Sequence, residues 1–246
     1  MGYEANWRGT FGIVNPTKGT GSIEELTRLL PEGVGVIVSH NNIRHGTIGE
    51  FRSVMDSYKA QVRAFGEDAE KVDIIHPAGT PPFMVLGFEK ERELVREWER
   101  EFGIPVFTSG MNQVRAMRAL GVQRFVGIGY DFDDTAIVGD YFKAAGLDPV
   151  ALVKLPGQWD RVGAVSSHSV YGLVKRAFLE HRGEAQAIYL QGSKWRVLEI
   201  VETLEQDLGV PVIHPVTARA WEIQRRLHVR QKRQGFGRLL AEMPLD

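Results

Sequence analysis

The 246 residues contain no cysteine. Thiolate catalysis, disulfides and zinc–thiolate sites are thereby excluded. Acid–base work falls to oxygen and nitrogen side chains, and the candidates stand where apolar runs break into loops. They are Asn15-Pro16-Thr17-Lys18, His40-Asn41, His76 through Pro81, Thr108-Ser109, Tyr130-Asp131, Gly192-Ser193-Lys194 and His214-Pro215. Ligands of open α/β sheets bind beyond the carboxyl ends of strands, and two lobes would place the pocket between them.

Three of these groups hold a histidine. His40, His76 and His214 together could supply a general base or metal ligands. Taken singly, each is more simply a histidine hydrogen-bonded in a loop, and strand-end side chains alternate in direction. His45 and His168 read as helix-start or surface residues. Lys18 and Lys194 could bind a carboxylate or, if desolvated, act as a base; a solvated lysine is the plainer account of each. In "YDFDD", Asp133 or Asp134 suits a helix N-cap, which leaves Asp131 as the carboxylate to test for catalysis. "GTGS" (19–22) could hold an anion but lacks the Lys-Ser/Thr of a nucleotide-binding loop.

The elements that must position these residues alternate. Strand-like runs are 11–15, 34–40, 72–77, 104–110, 124–131, 149–155, 185–192 and 210–216. Amphipathic stretches at 22–30, 49–65, 91–103, 113–122, 134–147, 168–181 and 194–209 separate them, and a basic helix over 217–235 follows. Ser22 and Glu25 suggest a capping box for the first helix. Such alternation predicts parallel sheets with right-handed crossovers. "WEREFGIPVFTSG" and "LEQDLGVPVIHPV" share the frame E-x-x-x-G-[IV]-P-V, which points to duplication. The expected fold is α/β: two pseudo-symmetric lobes, each a four-stranded, mainly parallel sheet flanked by helices. Residues 1–112 form the first lobe, with a C-terminal helix (217–246) packing back on it, and residues 113–216 the second.

Charged residues make up 25% and the formal net charge is −1, so neither a nucleic acid nor a membrane is expected as partner. The basic run at 226–238 is balanced by acidic helices elsewhere. Apolar runs are strand-sized, the N-terminus lacks a signal-peptide core, and Asn6 breaks the myristoylation pattern that Gly2 invites. A cytoplasmic protein is expected, with homo-oligomerisation left open.

"GIVNP", "DIIHPAGTPPFMVLG", "FGIPVFTS", "ALGVQRFVGIGYDFDD", "SSHSVYGLVKRA", "AIYLQGSKWRVLEIVETLEQDLGVPVI" and "TARAW", in that order and spacing, resemble the aspartate/glutamate racemase superfamily. The closest branch is that of maleate isomerase and arylmalonate decarboxylase. The resemblance implies a cofactor-free site between the two lobes. Family members use one or two cysteines, one per lobe, and those positions fall at Gly79 and Gly192. The decarboxylase branch has glycine at the first and keeps the second thiol; this chain keeps neither. Two-thiol racemisation and covalent thioether isomerisation therefore cannot run through those positions. Carboxylate-binding asparagines of maleate isomerases would fall near Lys18 or Gly19 and near Trp159, and Trp159 suggests a larger or aromatic ligand.

What remains matches an anion-binding site. Tyr130 corresponds to a tyrosine that bonds the substrate carboxylate or developing enolate, and Thr80 to a hydroxyl of the oxyanion loop. Ser193 follows Gly192 at a predicted helix start, where backbone N–H groups face an anion. Pro81 removes one backbone donor from the first loop, while Pro16 and the two glycines complete the substrate-binding set. The expected activity is that of a cofactor-independent lyase or isomerase, specifically a decarboxylase. It would act on a small carboxylic acid through an enolate-like anion, with His214, His40 or Lys194 moving the proton. The alternatives are a hydrolase or C–C-cleaving enzyme using activated water, with or without a metal on histidines, and a catalytically inactive ligand-binding protein.

Overall fold

A computed structural model describes residues 6–19, 21–67, 72–131, 134, 136–155, 157, 159–195 and 197–245. Gly2 and Asp133 lie outside the described residues. Strand β1 (Gly9–Asn15) is central in the first sheet. It pairs in parallel with β2 (Val34–His40) on one side and β3 (Ile74–Pro77) on the other. The second sheet has the order β5-β4-β6-β7, formed by β4 (Arg124–Tyr130), β5 (Asp148–Leu155), β6 (Ala187–Leu190) and β7 (Val212–Ile213), again all parallel. In each sheet the first strand in sequence is internal, its successor lies outside it, and the third lies on its other side.

The shared sequence frame explains the edges. Helices α5 (Phe88–Phe102) and α9 (Val201–Leu208) end at Gly103 and Gly209, with φ of 66° and 77°. Left-handed backbone of this kind suits glycine. Pro105 O then accepts Ile75 N–H at 2.9 Å, and Pro211 O accepts Ile188 N–H at 3.0 Å. The frame's glutamate closes the outer edge in both lobes: Glu99 accepts Val106 N–H at 2.9 Å and Glu205 accepts Val212 N–H at 2.8 Å. In the first lobe this geometry supports only the bridge Ile75–Val106, so the strand expected over 104–110 shrinks to one bridge and that sheet has three strands. Residues 109 and 110, expected in that strand, open a helix instead.

Helices fill the layers between: α1 (Ser22–Leu29), α2 (Ile48–Ser53), α3 (Met55–Glu67), α4 (Thr80–Met84), α6 (Ser109–Ala119), α7 (Ala136–Ala144) and α8 (Ser167–Glu180). The cap of α1 is Gly21 rather than Ser22, and Glu24 rather than Glu25 takes the Gly21 N–H at 2.6 Å. Helix α6 runs across residues 112 and 113, where the lobe boundary was expected. Its counterpart α10 (Pro215–Arg226) packs on both α6 and α1, and Asn112 donates to Ala218 O at 2.9 Å. Helix α10 stops at Arg226, short of the expected 235, because the chain turns at His228, whose φ is 56°.

The basic segment that follows is used within the chain. Arg233 donates to Leu30 O, while Arg238, which opens α11 (Arg238–Glu242), bonds Glu205 and Gly209 O. Among the described residues no helix is long and apolar enough to cross a membrane.

Candidate active site

The carboxyl ends of both sheets open on one cleft, whose empty space is about 420 Å³ with its mouth included. Pro16, Gly79, Thr80 and Pro81 line it from the first lobe, and Tyr130, Trp159, Gly192, Ser193 and Lys194 from the second. Nine of the eleven residues given a catalytic or substrate-binding role from sequence thus meet in one place.

Tyr130 ends β4 and is held from three directions. Its backbone N–H donates to Gln191 Oε1 at 2.9 Å. Its ring stands edge-to-face between Trp159 (4.7 Å) and Trp195 (5.1 Å). Its hydroxyl accepts the Lys194 N–H at 3.2 Å. Burial pushes the phenol pKa well up, outweighing that hydrogen bond, so the hydroxyl keeps its proton at neutral pH. A β-carbon added to Gly192 would overlap this hydroxyl and the ring carbon that carries it. The tyrosine fills the space that a side chain at 192 would need.

Gly79 is bare for a different reason. Its φ of 108° and ψ of 112° lie in a region that L side chains avoid. An added β-carbon would also meet Tyr58 Oη at 2.9 Å and Pro16 Cβ at 3.1 Å. Tyr58 donates to Ala78 O, and Gly79 N–H donates to Ser109 Oγ at 3.1 Å. With that N–H bound and two prolines following, the first loop has few backbone donors left for an anion.

Lys194 lies over the Trp159 ring at 4.6 Å and donates to Trp159 O at 3.1 Å. Burial lowers its pKa, opposed by the charges of Asp160 and Glu50. Ser193 is placed differently from the expectation. No helix starts there; a 3-10 turn begins at Leu198 and α9 at Val201, so no helix terminus faces an anion at Ser193.

The two histidines expected to move a proton are not brought to the cleft. His40 is exposed at the end of β2, because the alternation along that strand turns it away. His214 is buried and caps α10, its Nδ1 accepting Val216 N–H at 3.3 Å. Burial and the Arg219 charge bring its pKa down to about 3, so it is neutral. His76 is likewise buried, stacked on Phe107 and bonded to Phe107 O at 2.7 Å. Lys18 is exposed, and Asp131 pairs with Lys154 at 2.9 Å. Asp134 does cap locally, accepting Ala136 N–H at 3.0 Å. Among the described residues no group of three or more His, Asp or Glu could hold a metal ion.

Thr17, Ser109 and Pro215, all strand-end candidates, line the cleft as well, and Ile43, Pro82, Gln191 and Arg219 do so without having been chosen from sequence. Arg219 matters most. Its signal was present in "TARAW", a lone arginine inside a stretch, 215–224, that is buried throughout.

A family model described as arylmalonate decarboxylase matches residues 13–240. The chain belongs to this family. Among solved structures it resembles maleate isomerase from Pseudomonas putida S16, with a TM-score of 0.85 and 20% identity over 96% of this chain and 99% of that one. A liganded arylmalonate decarboxylase variant, with one glycine changed to cysteine and one cysteine to serine, also gives 0.85, with 23% identity over 95% and 99%. Maleate cis-trans isomerase from Nocardia farcinica gives 0.83, with 20% identity over 95% and 98%. At these identities the structural likeness carries the fold. No curated protein sequence matches the chain.

Proposed function

We propose that this member of the arylmalonate decarboxylase family is a thiol-free, cofactor-independent decarboxylase of small carboxylic acids. One observation carries the reading: the Tyr130 hydroxyl stands where a side chain at residue 192 would stand, locked between two tryptophans. In the reaction, the bond to the departing carboxylate breaks and its electron pair moves into the adjoining carbonyl or carboxylate. Carbon dioxide leaves and an enolate-like anion remains. Tyr130 donates its hydroxyl hydrogen bond to the enolate oxygen, and the Ser193 hydroxyl supplies a second donor. Tyr130 is fixed before reaction, so little reorganisation of it accompanies the new charge. The Lys194 ammonium then gives a proton to carbon and is recharged from solvent. An ammonium partly desolvated beside Trp159 is a better acid than one in water.

The test is carbon dioxide release from phenylmalonic and alkylmalonic acids by dialysed protein, with and without chelator. Turnover should survive the chelator and fall about 100- to 1000-fold in Y130F, the loss typical of one missing oxyanion donor. A wild-type protein that releases no carbon dioxide from any of them, or a fully active Y130F, would overturn the reading.

A further inference from the structure

Arg219 is a buried cation with no anion beside it among the described residues. The residue is 3% exposed, and both Nε and Nη1 are buried without a hydrogen-bond partner. The nearest acid on its helix, Glu222, is bound by Arg115 at 2.8 Å and by Arg226 at 2.6 Å. The groups coupled to Arg219 are Tyr58, His76 and His214, a phenol and two imidazoles that burial keeps uncharged. Burial lowers the guanidinium pKa only to about 10, so it remains charged at neutrality. An uncompensated buried ion costs several kcal/mol, and the side chain lines the cleft.

The duplication shows what is unusual about it. Ser109 opens α6 and Pro215 opens α10, and both line the cleft. Gln113 and Arg219 are each the fifth residue of their helix. Gln113 is a neutral amide that accepts from Tyr189 at 3.0 Å and, at 3.4 Å, from Thr80. At equivalent helix positions, therefore, one half holds a neutral amide tied to Thr80 and Tyr189 behind the cleft, and the other brings a fixed positive charge into the cleft wall. A bound molecule must match that asymmetry.

We infer that Arg219 is the anion anchor of the cleft and binds the carboxylate that the substrate keeps. That the bound group is the kept one rests on the decarboxylase reading. A cation on the departing carboxylate would stabilise the charge that the reaction must discharge, raising the barrier rather than lowering it. Binding energy from a retained group can instead position the bond that breaks.

Calorimetric titration tests this with malonate, succinate and their dimethyl esters as probes, on the wild-type protein and on R219M and R219Q. Wild type should bind a dianion at least about 30-fold more tightly than its ester, the scale of a buried charge pair losing one partner. In both variants the preference should shrink to about threefold or less. The unliganded variants should melt no lower than wild type, because a lone buried charge has been removed. If R219M misfolds, R219Q carries the same comparison. A wild-type protein indifferent to esterification, or variants that keep the preference, would overturn the anchor. An Arg219-dependent preference with no carbon dioxide release from any acid would leave the anchor standing and remove the decarboxylase.

Discussion

The hydroxyl of Tyr130 and the missing side chain of Gly192 compete for one volume. A β-carbon on residue 192 would overlap the phenol as it stands, and Trp159 and Trp195 leave the ring nowhere to retreat. The absence of a thiol at 192 is thus built into the packing of the second lobe. Restoring a cysteine there would cost the tyrosine its place.

G192A should therefore harm through Tyr130. Overpacking of a filled site costs about 1–3 kcal/mol, so a lowered melting temperature is expected together with loss of activity. Y130A alone leaves a cavity. In the double variant G192A/Y130A the added methyl sits in that cavity, and the two stability losses should fall well short of additive. A thermal-unfolding double-mutant cycle measures the coupling; strictly additive losses would mean the two residues do not share space.

Much of this site was legible before any coordinates. Strand-end position selected Thr80, Tyr130, Ser193 and Lys194, and the shared E-x-x-x-G-[IV]-P-V frame announced two halves with like edges. The glutamate of that frame proved to have its own task, closing each sheet edge on Val106 and Val212. Two kinds of information were out of reach. Which way a strand-end side chain points depends on register, and this sent His40 outward and sealed His214 under a helix cap. Arg219 was hidden because α10 carries Arg225 and Arg226 about two turns on, so the whole segment read as a basic surface. Only packing against α1 and α6 reveals that its first ten residues are buried.

The pH dependence of turnover should expose Lys194. Burial lowers its pKa from that of an ordinary lysine, so the proton it must donate is lost earlier as pH rises. The alkaline limb of kcat/KM is expected below the usual lysine range. K194M should lose that limb and most of its rate, whereas K194R should keep a limb displaced upward, since arginine holds its proton far longer. A profile unchanged in K194M would assign the proton to another group.

Stability should respond to pH through Glu91, a fully buried carboxyl on α5 that accepts the Tyr141 hydroxyl from α7. Burial pushes its pKa up to about 7, against the pull of that hydrogen bond. The folded state then holds this proton more tightly than the unfolded chain does. Its contribution to stability is complete below the unfolded carboxyl pKa and is lost as pH rises through about 7. The span amounts to something on the order of 3 kcal/mol. Urea unfolding at pH 5 and pH 8 measures it, and E91Q should flatten the difference; an undiminished slope in E91Q would place the linkage elsewhere.

The two edge glutamates allow a paired comparison, because they do the same work in different surroundings. Glu205 is 5% exposed and accepts Val212 N–H at 2.8 Å and Arg238 N–H at 2.7 Å. Glu99 has a side chain 36% exposed and accepts Val106 N–H at 2.9 Å, with Arg226 at 3.3 Å. A donor orphaned in the interior costs about 1–3 kcal/mol, whereas water can replace the acceptor at a half-open edge. E205A should accordingly destabilise by roughly 2 kcal/mol or more and loosen the C-terminal segment that Arg238 ties down, visible as faster amide exchange around 212 and 238. E99A should cost well under half of that. Equal losses in the two variants would mean that burial does not set the worth of these caps.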